Sequence, residues 1–302
     1  MVLFLYNKPD TTQKVLRQIK KVQPSKLYLI ADGPKNEIDR LICQQTRNTV
    51  EIIDWECEVE RVYQNENIGL IKTFNQGLGY VFEKEKRAII LEDDTLPSKS
   101  FFRYCDDLLD KYESNKKIGQ INGYNYLSKV KVNESYYYSN YPELWGWATW
   151  SDRWTKYNNH EFDDWDKIKN SDSFKNKFFS NNEYEYYYTI FDNASQGKIV
   201  SWEFPWSFAF RTNQLLAISP KFNLVKNLGF GHIGATHTHQ RHKYLSVTRN
   251  KKFNMKFPMI PPSEVFLNDD LTIKEFNKRL LKNSNLSKLI YNFNKLKKLI
   301  KN

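Results

Sequence analysis

The chain is poor in sulfur and has no long apolar stretch. Its 302 residues include three cysteines and three methionines. Cys43, Cys57 and Cys105 are odd in number and widely separated, with no CxxC pair. That pattern excludes a disulfide framework and a thiolate zinc site, and it fits a reducing compartment. No run approaches the ~20 apolar residues that a membrane-spanning helix requires. Met1 to Tyr6 reads as a strand rather than as a secretory leader. Neither GxxxxGKS/T nor GxGxxG follows that strand, so the phosphate-cradling loops of kinases and dinucleotide enzymes are missing. The charge is unevenly spread: the formal net charge is +11, yet Lys278 to Asn302 holds eight basic residues and no acidic one, leaving +3 on everything before it. The basic character belongs to a tail, which argues against nucleic acid as the partner of the domain.

What is present reads as alternating strands and helices. Val2 to Tyr6 is a short apolar run of the kind found in buried parallel strands. Asp10, three residues before Gln13, suggests a capping box opening a helix with Val15, Leu16, Ile19 and Val22 on one face. Leu27 to Ala31 is a second strand ending in Asp32-Gly33-Pro34, and Cys57 to Tyr63 is a third, ending in the Asn65–Gly69 loop. Helical segments fill roughly residues 35–53 and the stretch up to Glu83. Ala88 to Leu91 is a fourth strand that runs into Glu92-Asp93-Asp94. This alternation predicts an α/β fold with a mostly parallel sheet covered on both faces. In such sheets ligands bind beyond the carboxyl ends of the strands. Those ends carry Asn7-Lys8, Asp32, the Asn65–Gly69 loop and the acidic triplet, already a polar site.

From Tyr124 to Phe210 the sequence is crowded with aromatic residues, including Trp145-Gly146-Trp147 and Trp202-Glu203-Phe204-Pro205-Trp206. Such density signals core packing, or rings that stack on the C–H faces of sugars. Three features carry possible chemistry. The triplet Glu92-Asp93-Asp94 repels itself unless a cation answers it, and its hard oxygens suit Mg²⁺ or Mn²⁺ bridging to phosphates. A solvated turn before Pro97 is the other reading, and the position at a strand end favours the metal. Glu203 lies among tryptophans, where desolvation would suit it to accepting a proton; a salt-bridged glutamate is the alternative. His232, His237, His239 and His242 fall within eleven residues, and one of them either completes a metal site begun by Asp94 or serves in hydrogen bonding. In the tail, Leu286, Leu289, Ile290, Phe293, Leu296 and Ile300 recur at helical spacing opposite lysines. That pattern fits a helix lying on an anionic membrane surface or one docked on the protein itself.

Taken together, FLYNKPD (residues 4–10), Ala31-Asp32-Gly33, Asn67-Ile68-Gly69, IILEDDTLP (89–97), WGWATW (145–150) and NLGFGHIGATHT (227–238) resemble bacterial GT-A-fold glycosyltransferases. They resemble the animal N-acetylglucosaminyltransferase I group more distantly. The likeness spans residues 1–245, with a nucleotide-sugar half (1–122) and an acceptor half (123–245); residues 246–302 fall outside it as a C-terminal extension. The resemblance implies a metal-dependent inverting transferase that moves a sugar from a nucleotide-diphosphate donor, a UDP-sugar, to a glycan acceptor in bacterial surface polysaccharide or lipo-oligosaccharide synthesis. A non-catalytic glycan- or nucleotide-binding protein on the same scaffold is the competing expectation. By the same resemblance Asp94 binds Mn²⁺ or Mg²⁺ with His237 as a second ligand. Glu92, Asp93, Tyr6, Asn7, Lys8, Asp32, Asn67 and Lys72 contact the donor, and Trp145, Trp147 and Trp202 the acceptor. Glu203, following Trp202, takes the place of the catalytic base. Lys8 stands where arginine is commoner, giving up a bidentate contact, and Glu203 is one methylene longer than the aspartate usual there. The expected location is cytoplasmic, with the tail resting on the inner face of the membrane.

Overall fold

The first apolar run forms strand β1 (Val2–Leu5), buried at every position, as a strand covered on both faces must be. Helix α1 (Pro9–Ile19) begins one residue before the expected box at Asp10. Pro9 stands in its first turn and Lys8 is the N-cap residue, with no side-chain cap. A proline there costs little, because its missing N–H would be unsatisfied anyway. Then come β2 (Lys26–Ala31), α2 (Glu37–Asn48), β3 (Glu58–Tyr63), α3 (Leu70–Lys84) and β4 (Arg87–Glu92). The second half comprises β5 (Thr95–Pro97), α4 (Lys99–Lys111), β6 (Ile118–Asn122), β7 (Tyr136–Ser139), β8 (Trp147–Trp150) and α5 (Ser151–Asn158). The short helices α6 (Trp165–Ile168) and α7 (Asp172–Lys175) lead to α8 (Asn181–Ser195), α9 (Glu203–Thr212), β9 (Leu216–Pro220), β10 (Val225–Asn227) and α10 (Asp269–Lys282). This is a computed structural model, and it describes residues 1–158, 162–229 and 251–282.

Eight strands form one sheet in the order β3-β2-β1-β4-β8-β6-β9-β7, while β5 and β10 make a separate two-stranded sheet. β1 pairs in parallel with β2 and β4, and β2 with β3. β8 then runs antiparallel between β4 and β6, and β9 is parallel to β6 but antiparallel to β7. The expected α/β class is therefore present, with the unbroken parallel run confined to the first four strands. The chain leaves β1 on one side for β2 and β3, then returns to β4 on the other. Such a reversal opens a crevice at the carboxyl ends of the strands.

Alternate residues of β1 and β2 enter different cores. Leu3, Leu5, Leu27 and Leu29 pack with Leu108, Ile121 and Trp150 on one face. Val2, Phe4, Tyr28 and Ile30 pack with Phe74, Trp147, Trp202 and Trp206 on the other. A third, almost wholly aromatic cluster joins Trp165, Phe174, Tyr187, Phe191 and Phe208 to Phe276 of α10. Within it lies a buried ion pair between Glu183 (0% side-chain exposure) and Arg211 (5%). The Tyr141 hydroxyl at 2.6 Å and the Phe179 amide at 2.9 Å complete the carboxylate's partners. The rings of Tyr141, Phe178 and Tyr187 surround the guanidinium.

Helix α10 is fastened to the β7–β8 region by charge as well as by Phe276. Glu275 accepts hydrogen bonds from Tyr137 Oη (2.7 Å) and Ser139 Oγ (2.6 Å). Arg279 pairs with Glu143 and lies over the rings of Tyr126 and Tyr141. Arg279, counted from sequence with the basic tail, is thus an internal partner and not part of a solvated face. Of the amphipathic segment, residues 283–302 lie outside the described residues. Among the described residues, no helix is long and apolar enough to cross a membrane.

Removing the guanidinium in Arg211→Met leaves Glu183 as an uncompensated buried charge. Urea denaturation of that variant is expected to show a loss of about 3–5 kcal/mol, partly recovered by adding Glu183→Gln.

Candidate functional site

Each element delivers its side chain at the crevice for a local reason. β1 leads into Tyr6, whose amide donates to Asp93 Oδ2 at 2.9 Å and whose hydroxyl donates to Asp39. Asn7 Nδ2 donates to the other Asp39 oxygen at 2.7 Å. Asp39 sits in the first turn of α2, where Asn36 caps its amide and the Lys35 amide reaches its carboxylate, each at 2.9 Å. Burial opposes the Asp39 charge, but these donors outweigh it and hold the carboxyl below its ordinary range. Burial and the same carboxylate push the Tyr6 phenol well up. Asn7 Oδ1 is buried with no hydrogen-bond partner among the described residues, an acceptor for which a ligand N–H is a natural partner.

Asp32, at the end of β2, anchors the neighbouring loop. Its two oxygens accept from the amides of Gly33 (2.8 Å), Ile68 (2.9 Å) and Gly69 (3.0 Å) and from Asn67 Nδ2 (2.9 Å). Gly69 takes a positive φ of 87°, which glycine adopts without strain. A methyl group on Gly33 would overlap the Glu66 backbone. Asp32 therefore holds the loop that shapes the crevice, and its lone pairs are largely committed to that task.

The triplet emerges from β4. Lys8 Nζ lies 2.7 Å from Asp94 Oδ2 and 3.3 Å from Asp93 Oδ1, with 14% of its side chain exposed. Lys8, expected at the donor site, thus pairs with the acidic triplet. Burial works against its ammonium, but the charges of Asp93 and Asp94 overcome this and keep it protonated. Burial also raises the carboxyls of Glu92 and Asp93, helped by the charge on Asp94 and resisted by Lys8. β10 pairs with β5 in a register that sets Asn227 opposite Thr95, and the Leu228 amide donates to the Asp94 carbonyl at 2.7 Å. Residues 227–229 are thereby laid against the triplet.

These parts enclose a cavity of about 320 Å³. Tyr6, Asn7, Lys8, Asp32, Asn67, Glu92, Asp93, Asp94 and Trp145 line it together, joined by Lys35, Thr73, Phe74, Asn227 and Gly229. Two carboxylates already converge on one cation, and their hard oxygens suit Mg²⁺ or Mn²⁺, which commonly take one or two carboxylates plus phosphate oxygens. Among the described residues no group of three or more His, Cys, Asp and Glu is arranged to hold a metal ion. A metal at Asp93 and Asp94 would accordingly draw its other ligands from water and a bound phosphate. His237 lies outside the described residues.

Three sequence expectations need correction. Trp147 (0% exposed) and Trp202 (3%) are core residues; Trp202 stacks on Phe74 at 4.5 Å and on Trp147 at 5.6 Å. They brace the cavity wall from behind and offer no face to an acceptor. Lys72 is exposed on α3 and absent from the lining, which takes Thr73 and Phe74 instead. Glu203 is not desolvated by its aromatic neighbours: it is exposed at the first residue of α9 while Trp202 and Trp206 turn inward. It still lies within electrostatic reach of Glu92 on one side and Glu143 on the other.

Sequence reasoning passed over Asp39 and Glu143. Asp39 is three residues after Asn36, a capping pattern that could have marked a fixed acid beside the second strand end. Glu143 belongs to the β7–β8 loop that carries Trp145. Its amide donates to Asn122 Oδ1 (3.0 Å) and its carbonyl accepts from Gln120 Nε2 (2.7 Å). Burial pushes its carboxyl up to about 7, although Arg279 opposes the shift.

No protein-family model matches the chain, and no curated protein matches it. Among solved structures, UDP-glucose pyrophosphorylase complexed with UDP-glucose superposes with a TM-score of 0.39 and 11% identity, over 74% of this chain and 90% of the other. An apo UDP-glucose pyrophosphorylase gives 0.36 and 11%, over 75% and 92%. Likenesses of that size leave the functional question to the geometry.

Two outcomes follow from the site. Gly33→Ala is expected to displace the Asn65–Gly69 loop and lower stability by about 1–3 kcal/mol, as overpacking does, read by chemical denaturation. The raised Glu143 carboxyl stabilises the fold fully below its ordinary value of 4.5, and this contribution is lost as pH rises through about 7. The melting temperature should fall across that interval, and Glu143→Gln should make the fall shallower.

Proposed function

We propose that the protein is a metal-dependent, inverting glycosyltransferase acting on a nucleotide-diphosphate sugar, a UDP-sugar, with a bacterial surface glycan as acceptor. The observation that carries this reading is the single cavity shared by Asn7, the Glu92–Asp94 triplet and Trp145. One elongated ligand can meet a buried amide acceptor, a charged centre and an aromatic ring in turn. Asn7 Oδ1 would take an N–H of the base. Lys8 and Lys35 are the cations of the lining and would face the diphosphate, and the Trp145 ring would stack on a sugar. Mn²⁺ or Mg²⁺, held by Asp93 and Asp94, would supply positive charge against the departing diphosphate. Glu203 would take the proton from an acceptor hydroxyl that attacks the anomeric carbon opposite the leaving group, inverting it. Holding acceptor and donor in line lowers the barrier. The location proposed is the cytoplasmic face of the membrane, with residues 283–302 contacting anionic lipid.

A second reading, a nucleotide- or glycan-binding protein without turnover, is favoured by the exposed position of Glu203 outside the cavity lining and by Lys8 standing at the cation position. Turnover separates the two.

Calorimetric titration of UDP, with and without Mn²⁺, should show binding strengthened by the metal, with that enhancement lost in Asp94→Ala. No heat from UDP with a response to GDP, CMP or dTDP would reassign the donor, and silence from all four would overturn the reading. With a turned-over UDP-sugar in hand, Glu203→Gln should slow the reaction about 10²–10⁴-fold, the usual worth of a positioned base. A near wild-type rate removes Glu203 from that role.

A further inference from the structure

Lys8 is the one cation bonded to the triplet among the described residues. Its ammonium occupies the point where Asp94 Oδ2 and Asp93 Oδ1 converge, at 2.7 and 3.3 Å, and those two carboxylates are its hydrogen-bond acceptors. A divalent ion bound by the same two oxygens cannot share that point with an ammonium, because the two cations would repel at close range in a poorly solvated cavity. The backbone of Lys8 cannot retreat. It is the N-cap of α1, and its carbonyl accepts from the Thr12 amide at 3.0 Å and the Thr12 hydroxyl at 2.7 Å. The side chain can move: four methylenes carry a compact charge with rotatable donors, and it lines a cavity large enough to receive a new anionic partner.

We propose that Lys8 is an internal counter-ion that competes with the divalent metal for Asp93 and Asp94 and hands over its place when a diphosphate arrives. The inference rests on the donor-site reading of the cavity. The empty site is neutralised from within, so a metal ion alone must displace an ammonium and leave it without a partner. A bound diphosphate offers that ammonium a replacement, so metal and nucleotide each raise the affinity for the other by the same factor, as linkage demands. Lys8 would thus make binding of the two ligands strongly coupled.

The test is titration of Mn²⁺ alone into the full chain, followed by electron paramagnetic resonance of the free ion, and repeated with saturating UDP. Lys8→Met is expected to bind Mn²⁺ alone about tenfold or more tightly than the wild type, the equivalent of losing one competing ion pair. UDP should then enhance Mn²⁺ affinity by a smaller factor than in the wild type. Lys8→Met leaves the carboxylates bare and is expected to melt at a lower temperature, with Mn²⁺ restoring more of the loss than it adds to the wild type. If that variant does not fold, Lys8→Arg carries the test: a fixed, permanently charged fork should weaken Mn²⁺ binding, and unchanged or tighter binding would count against the proposal. Unchanged or weaker Mn²⁺ affinity in a folded Lys8→Met overturns it. So does failure of Mn²⁺ to bind either protein with UDP present, and in that case metal-free UDP binding would leave the donor-site reading standing.

Discussion

The organising constraint of this molecule is the crowding of like charge at the ends of its central strands. Asp32, Asp39, Glu92, Asp93 and Asp94 meet within one crevice, and each is accommodated by different means. Asp32 is neutralised by peptide dipoles from the loop it anchors. Asp39 is held by a phenol and amides. Asp93 and Asp94 share one ammonium, and Glu92 is pushed toward its neutral form by burial and its neighbours. The first two solutions leave little unsatisfied charge and fix the shape of the site. The others leave a region that a different cation or a phosphate can rearrange. Rigidity on the β2 side and adjustability on the β4 side thus coexist within a few residues, an arrangement suited to binding sites.

The aromatic wealth of the second half divides along the same line between support and contact. Phe4, Phe74, Trp202 and Trp147 form a stacked series running from the cavity wall into the core. Trp145 is set apart by Gly146, whose positive φ of 63° turns the chain between two tryptophans. Trp147 consequently enters the sheet and Trp145 reaches the cavity. The loop bearing Trp145 is fastened on both sides, by Gln120 and Asn122 of β6 and by Arg279 of α10 through Glu143. An element from the far end of the chain therefore helps to set the position of a cavity residue.

Much of this was legible in the sequence, and the misses share a cause. The four leading strands and their polar ends follow from short apolar runs interrupted by turn residues, a local signal. That Tyr6, Asn7, Asp32 and Asn67 share one cavity followed because the ends of neighbouring parallel strands necessarily converge. Direction of a side chain is a different matter. Trp147 and Trp202 look like sugar-stacking residues until the sheet shows which way each faces, and Glu203 looks enclosed until α9 turns its tryptophans inward. The pairing of Lys8 with Asp93 and Asp94 was not foreseen because these partners are 85 and 86 residues away in sequence. The extension beyond residue 246 looked separable because the partners of its buried charges, Tyr137 and Ser139 as donors to Glu275 and Glu143 as acceptor from Arg279, lie more than a hundred positions earlier.

The place of β8 has a consequence for how the chain is made. This strand fills the gap between β4 and β6, both of which are completed earlier in the sequence. Until residues 147–150 have been synthesised, β4 presents an unpaired edge and β6 has no neighbour through which to join the sheet. A nascent or truncated chain ending near Asn122 would carry the whole acidic crevice on a half-sheet with a bare, apolar border, the kind of surface that recruits strands from other molecules. The segment after residue 122 is therefore the closing piece of the sheet begun before it, which makes the two inseparable in folding.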